Sequence, residues 1–218
     1  MRGGLPNAIS FLERFMRMIT TALAGVLCVA LCCAGHTAAA QETGPLTRTR
    51  IKLLTPWGPN GLSIGMATTQ EVNGSCFTHS LASPSRPDAW RCTAGNGLMD
   101  PCYQRILGDE RQLACPVGGP WPANVVQLTL TQPLAQEDRK QPSRDSVLPW
   151  AIELANGQKC TQSTGATAPV AGMRINYGCP DGFIIVGDID RSQPVWRAFS
   201  QGQKSIALEE VDVAAAWF

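Results

Sequence analysis

This chain is poor in histidine and in charge. Its 218 residues hold two histidines, His36 and His79, and 16% of the residues are charged. Only His79 lies beyond the first forty residues, so a Ser-His-Asp or Cys-His centre there would have to use it. No G-x-S-x-G elbow accompanies it. Beyond residue 40 there are fifteen basic and sixteen acidic residues, a net charge of −1. That balance gives no electrostatic case for nucleic acid or anionic lipid. The one basic pair in this part, Arg139-Lys140, sits in a polar stretch. No segment carries a long helical period, and no second apolar run reaches the ~20 residues needed to span a bilayer. No pair among the later cysteines has C-x-x-C spacing, which leaves a thioredoxin-like role and a zinc site without a motif.

What is present starts at the N-terminus. Arg14 and Arg17 precede an uncharged stretch from about Met18 to Gly35, which ends at Ala38-Ala39-Ala40. Basic residues, an apolar run and a small-x-small site, in that order, predict a secretory signal over residues 1–40. Two other readings exist. An uncleaved anchor has nearly the required length, and Cys32-Cys33 resembles a lipidation site, although Leu31 stands where a small residue is wanted. Cleavage predicts a chain with no further membrane span, exported to the periplasm or the extracellular space.

Export makes the cysteine count meaningful. Cys76, Cys92, Cys102, Cys115, Cys160 and Cys179 remain after Cys28, Cys32 and Cys33 are set aside. An even number in an oxidising compartment predicts three disulfides. A sequential scheme pairs Cys76 with Cys92, Cys102 with Cys115 and Cys160 with Cys179. A nested scheme, Cys76–Cys115 with Cys92–Cys102, competes in the first half.

The pattern between cysteines is that of strands. Ser75–Leu81, Ala89–Cys92, Cys102–Leu107, Glu110–Cys115 and Val125–Leu130 read as short strands, with a two-residue turn at Gly108-Asp109. Residues 133–146 are polar and predict an exposed loop. Trp150, Ile152 and Leu154 then alternate with Ala151, Glu153 and Ala155, ahead of Asn156-Gly157, which predicts a hairpin with a type I′ turn. Met173–Cys179, Phe183–Val186, Pro194–Phe199 and Ser205–Val213 continue a meander. Strands recurring about every ten residues, with 21 Gly and 16 Pro, predict an all-β antiparallel sandwich or barrel. A flexible segment 41–47 would precede a domain at 48–218, with lobes at 48–132 and 147–218.

Several stretches carry a resemblance: Gly74-Ser75-Cys76-Phe77, Arg86-Pro87-Asp88-Ala89-Trp90-Arg91-Cys92, Asp100-Pro101-Cys102, Leu154-Ala155-Asn156-Gly157 and Arg174-Ile175-Asn176-Tyr177-Gly178-Cys179. In these the chain resembles a group of uncharacterised exported bacterial proteins over roughly residues 75–217. The resemblance implies a bacterial, exported, disulfide-containing domain and brings no activity with it.

Candidate chemistry is sparse. Asp181, Asp188 and Asp190 could hold Ca²⁺ through carboxylate oxygens, but aspartates at turns also serve to cap turn backbone. The same acids with Glu209 and Glu210 could form a glycosidase pair. Six tryptophans stand against two tyrosines. Trp90, Trp150 and Trp196 fall within strand patterns and read as core. Trp57 and Trp121 lie among Gly and Pro in loops and are the candidate contacts for a carbohydrate or protein ligand. No cofactor is implied. The readings are a non-enzymatic binding module, a secreted hydrolase using acids or His79, and a structural or inhibitor-like envelope factor.

The signal reading has a direct test. Intact-mass analysis of the exported protein should show loss of residues 1–40, whereas a lipid-bearing start at Cys32 or Cys33 would contradict it.

Overall fold

The computed structural model describes residues 45–135 and 140–218, so the signal stretch lies outside the described residues. The strands, in chain order, are β1 (Arg50–Lys52), β2 (Trp57–Gly58), β3 (Gly61–Leu62), β4 (Ala67–His79) and β5 (Ala89–Ala94). They continue with β6 (Gly97–Gln104), β7 (Gln112–Pro116), β8 (Asn124–Leu130), β9 (Ala151–Leu154) and β10 (Lys159–Gln162). The last are β11 (Pro169–Val170), β12 (Met173–Gly178), β13 (Ile184–Asp190), β14 (Trp196–Gln201) and β15 (Glu209–Trp217). Short 3-10 turns at Arg144–Ser146 and Pro180–Gly182 are the only helical elements among the described residues. The fold is all-β.

Strands β4 to β8 close into a barrel, each antiparallel to its predecessor. Five alternating strands leave the first and last pointing the same way, so the closing pair β4–β8 is parallel. The second half closes as well: β9, β10, β12, β13, β14 and β15 pair in turn, and β15 returns to β9. Six alternating strands require an antiparallel closure, as observed. Ring closure gives every strand of either ring a partner on both sides over at least part of its length.

The thirteen-residue β4 makes the first closure possible. Ala67–Gly74 pairs with β8, and Ser75–His79 pairs with β5. The changeover falls at Gly74, where a Cβ would lie 2.3 Å from the Thr93 carbonyl oxygen and 2.9 Å from Leu128. Only glycine lets the two backbones come this close.

All three disulfides follow the sequential scheme: Cys76–Cys92, Cys102–Cys115 and Cys160–Cys179. Each joins adjacent antiparallel strands or the residue just past a strand end. Cys76 and Cys92 are register partners on β4 and β5. The nested alternative would bridge β4 to β7, which do not pair. Cys76, Cys92, Cys102 and Cys115 lie in the first core with Trp90, Leu113, Leu128 and Leu130. The second core gathers Ile152, Leu154, Cys160, Tyr177, Ile185, Val213 and Phe218. The Tyr177 hydroxyl donates to the Pro149 carbonyl oxygen at 2.7 Å, so its one polar atom is satisfied inside that core.

The expected hairpin at Trp150–Thr161 forms, but with a different turn. Leu154 and Gln158 bracket three residues, the Gly157 amide donates to the Leu154 carbonyl, and only Gly157 has positive φ (+86°). This is a type I turn followed by a left-handed glycine, not the two-residue I′ turn expected from Asn-Gly. The Asn156 side chain accepts from the Gln158 amide instead of adopting positive φ itself. The Gly108-Asp109 turn is likewise longer than expected: Arg105 and Gln112 close it, and Asp109 accepts from the Gln112 amide within it. Of the expected loop, residues 140–146 are mostly exposed.

The N-terminal strand belongs to the second barrel. β1 lies parallel to β15, with Arg50 opposite Ala215 and Lys52 opposite Trp217. It takes up the side of β15 that β14 vacates beyond Trp196, and Thr49 caps the junction through its hydroxyl bonds to Val213 and Trp196. The chain then crosses to the first barrel, where Arg86 anchors it by donating to the Leu54 carbonyl while paired bidentately with Asp88.

Two glycines test this description. A Gly157→Val change meets open space but strains the backbone, and should lower stability by about 1–3 kcal/mol. Gly74→Ala should cost more, because its new methyl overlaps a carbonyl of the paired strand. Thermal melts decide; an unchanged midpoint in either variant would contradict the corresponding geometry.

Candidate functional site

Two closed barrels offer convex surfaces to each other, so they touch over a limited patch. That patch is apolar: Ala82 and Trp121 from the first barrel's loops, Trp150, Ala151, Ala215 and Trp217 from the second barrel, and Leu54 from the crossing segment. Trp121 meets Trp217 edge-on, with ring centroids 5.2 Å apart. Small alanines bring the backbones close, and the indoles fill what remains.

Beside the patch lies a cleft of about 820 Å³. One wall comes from Asp100-Pro101 and the Pro116–Pro122 loop of the first barrel. The other comes from Trp150, Lys159, Thr161, Gln162 and Gly178–Pro180 of the second. The Pro-Gly-rich loop is shaped around Trp121. Gly119 is buried at φ +91°, and a Cβ there would sit 2.2 Å from the Trp121 ring. Lys159 places its ammonium 5.8 Å from the centroid of the same ring.

Three polar atoms of this lining are buried without a hydrogen-bond partner: Trp121 Nε1, Trp150 Nε1 and Gln162 Oε1. Burying such a group unpaired costs roughly 1–3 kcal/mol each, so three of them among the residues of one cleft need a physical reason.

Asp100, by contrast, is fully engaged. It accepts from the Ser80 hydroxyl, from the Leu81 and Ala82 amides, and from Arg91 at 3.3 Å. Arg91 also reaches across to Thr164 of the second half at 3.3 Å. Desolvation holds the Asp100 carboxyl above its ordinary range, against the opposing pull of Ser80, the Ala82 and Leu81 amides and Arg91. Its work is to fix the β4–β5 loop that presents Ala82 to the interface.

The residues singled out from sequence fall in different places. Trp121 is in the cleft. Trp57 is not: its indole N–H donates to the Tyr103 carbonyl at 2.8 Å. It lines a separate apolar hollow of about 390 Å³ with Ile106 and Leu107. His79 stacks on Trp90, centroids 4.2 Å apart, beside a third hollow of about 680 Å³. Its Nδ1 is buried without a partner, so the carboxylate contact that orients a triad histidine is missing there.

The acidic candidates do not converge either. Asp181 precedes β13, while Asp188 and Asp190 are at the strand's far end, on the order of 20 Å away at strand rise. No group of three His, Cys, Asp or Glu side chains among the described residues is arranged to hold a metal. Glu210 and Asp212 instead flank Arg197, at 2.7 and 3.8 Å. Glu209 is exposed next to them.

Trp150, Lys159, Gln162 and Asp100 were not legible as site residues: Trp150 and Lys159 read as ordinary strand positions, and Asp100 and Gln162 fall just outside the expected strands with no motif around them. Only the meeting of β10 with the Pro116–Pro122 loop brings them together, and no local pattern encodes that meeting.

No known protein family matches the chain, and no curated protein or solved structure does so. Among the described residues no helix is long and apolar enough to cross a membrane.

Asp100 yields a pH test. Because its folded-state pKa is raised, the native protein holds this proton more tightly than the unfolded chain, whose ordinary value is 3.8. Its contribution therefore grows as pH falls toward the unfolded value and is lost as pH rises through the folded one. Urea midpoints taken from about pH 7 down to about pH 4 should shift in favour of wild type over Asp100→Asn. A shift the other way would mean the ionised carboxylate is the stabilised form.

Proposed function

We infer that this protein is an exported, non-enzymatic binding module of the bacterial envelope or extracellular space, holding a small polar ligand such as a carbohydrate between its two barrels. The signal-like N-terminus, the three disulfides and the resemblance of its cysteine pattern to exported bacterial proteins support the location. One observation carries the binding reading: three residues that line the same cleft, Trp121, Trp150 and Gln162, each hold a buried polar atom without a hydrogen-bond partner. Ligand sites favour such crevices between domains, with an apolar lining and a few polar groups. The cleft volume lies within the range of small-molecule sites.

A hydrolase reading draws less support. Glu210 is spent on Arg197, Asp100 on four donors, and His79 lies outside the cleft.

The experiment is a tryptophan-fluorescence titration of the disulfide-intact protein with cellobiose, chitobiose and digalacturonate. At least one should change the emission saturably, and Trp121→Ala, its fold checked by circular dichroism, should weaken that binding about tenfold or more. No saturable change with any of the three, or an unaffected Trp121→Ala variant, would overturn the reading.

A further inference from the structure

The chemistry of the lining narrows the ligand further, resting on the cleft as the binding site. Two charged side chains line it, Asp100 and Lys159. A carboxylate offers about four acceptor sites, and Asp100 already receives Ser80, two backbone amides and Arg91. Its charge is matched by Arg91, and it has little left to offer a ligand. Lys159 is different. It is exposed and stands opposite Glu153 on β9, yet it makes no ion pair with it or with any other described residue. Its ammonium lies over the Trp121 ring instead. The cleft therefore keeps one unspent cation and no unspent anion.

The unpartnered atoms point the same way. An indole N–H can only donate, and both Trp121 and Trp150 have theirs unmatched. The Gln162 amide can turn to present either its oxygen or its nitrogen. Two obligate donors and an ammonium call for an acceptor carrying negative charge. A phosphate group fits less well. No arginine lines the cleft, and one lysine is a thin match for a dianion that arginine forks usually bind.

We propose that the cleft binds its ligand through a carboxylate group, with Lys159 as the charge partner and the Trp121 and Trp150 indole N–H groups as donors. A sugar acid is the ligand class that joins this group to the cleft's tryptophan lining. Both N–H groups are sealed from solvent in this arrangement, so entry requires the lining to part. Lys159, exposed and unbranched, is the member best able to give way and then return onto the bound anion.

The test uses the indole ¹H–¹⁵N resonances, one for each of six tryptophans, assigned by through-bond experiments on the full disulfide-bonded protein. Sodium acetate, sodium phosphate, sodium chloride and cellobiose are titrated separately at constant ionic strength, up to about 100 mM. The Trp121 and Trp150 resonances should move saturably with acetate and not with chloride. Lys159→Gln, a surface change that leaves the fold intact, should weaken the acetate response about tenfold, and Lys159→Arg should retain it. A saturable response to phosphate stronger than that to acetate would overturn the carboxylate assignment. So would an acetate response undiminished in Lys159→Gln. A response to cellobiose without one to acetate would overturn the carboxylate but leave the cleft as the binding site. Silence of both resonances to all probes would remove the proposal and the cleft reading together.

Discussion

Strand β15 is the element on which the rest of the described chain depends. Its first half pairs with β14 and its second with β9, closing the six-stranded barrel. The flank that β14 leaves is taken by β1, from the opposite end of the described chain. The same nine residues carry Ala215 and Trp217, whose side chains build the contact with the first barrel. Regular alternation would put Val213, Ala215 and Trp217 on one face, but the register against β9 shifts between Val213 and Ala215, which turns the last residues over and makes this double duty possible. Val213 packs inward into the second core, while Ala215 and Trp217 face the inter-barrel patch. Ala216 returns to the core between them. A break in β15 would therefore open a barrel, release the N-terminal strand and loosen the interface at once.

The cleft follows from the same constraint. Among the described residues no strand of one barrel pairs with a strand of the other, so they meet through side chains. The contact is small because both surfaces curve away from it. A crevice is left at its margin, and the polar groups brought there by two separately folded walls need not match each other. Trp121, Trp150 and Gln162 show that they do not. Unmatched donors beside an unpaired lysine make the margin an attractive place for an anionic partner. The disulfides stiffen this frame locally. Each closes a loop between neighbouring strands, worth roughly 3 kcal/mol through the unfolded chain, and Cys179 stands in the cleft wall itself.

Much of the fold was legible in the sequence because the signals were local. Period-two alternation located most strands, and Cys–Cys spacing favoured links between neighbours. Misreadings arose where a local rule had two solutions. Asn-Gly suits a two-residue turn and also a three-residue turn ending in a left-handed glycine, and the strand register chose the second. β4 begins eight residues before the expected Ser75, because Ala67–Val72 is largely exposed and polar, and only the parallel ladder with β8 holds it as strand. That pairing joins segments more than fifty residues apart, and no window can display it. The assignment of β1 to the far barrel was hidden for the same reason. Of the site, sequence offered Trp121 through its Pro-Gly setting. Lys159 and Trp150 became site residues only through long-range packing, and Trp57, with the same loop signature, spends its indole N–H on Tyr103.

The central claim is that two closed barrels form one unit held by β15 and the tryptophan contact. Equilibrium urea unfolding of the disulfide-intact chain tests it most directly, followed in parallel by far-UV circular dichroism, which reports both barrels, and by tryptophan emission, which includes the interface indoles Trp121, Trp150 and Trp217. The account predicts a single transition with coincident midpoints for the two probes. Two separated transitions, with the emission change completed while one barrel's strand signal persists, would contradict it.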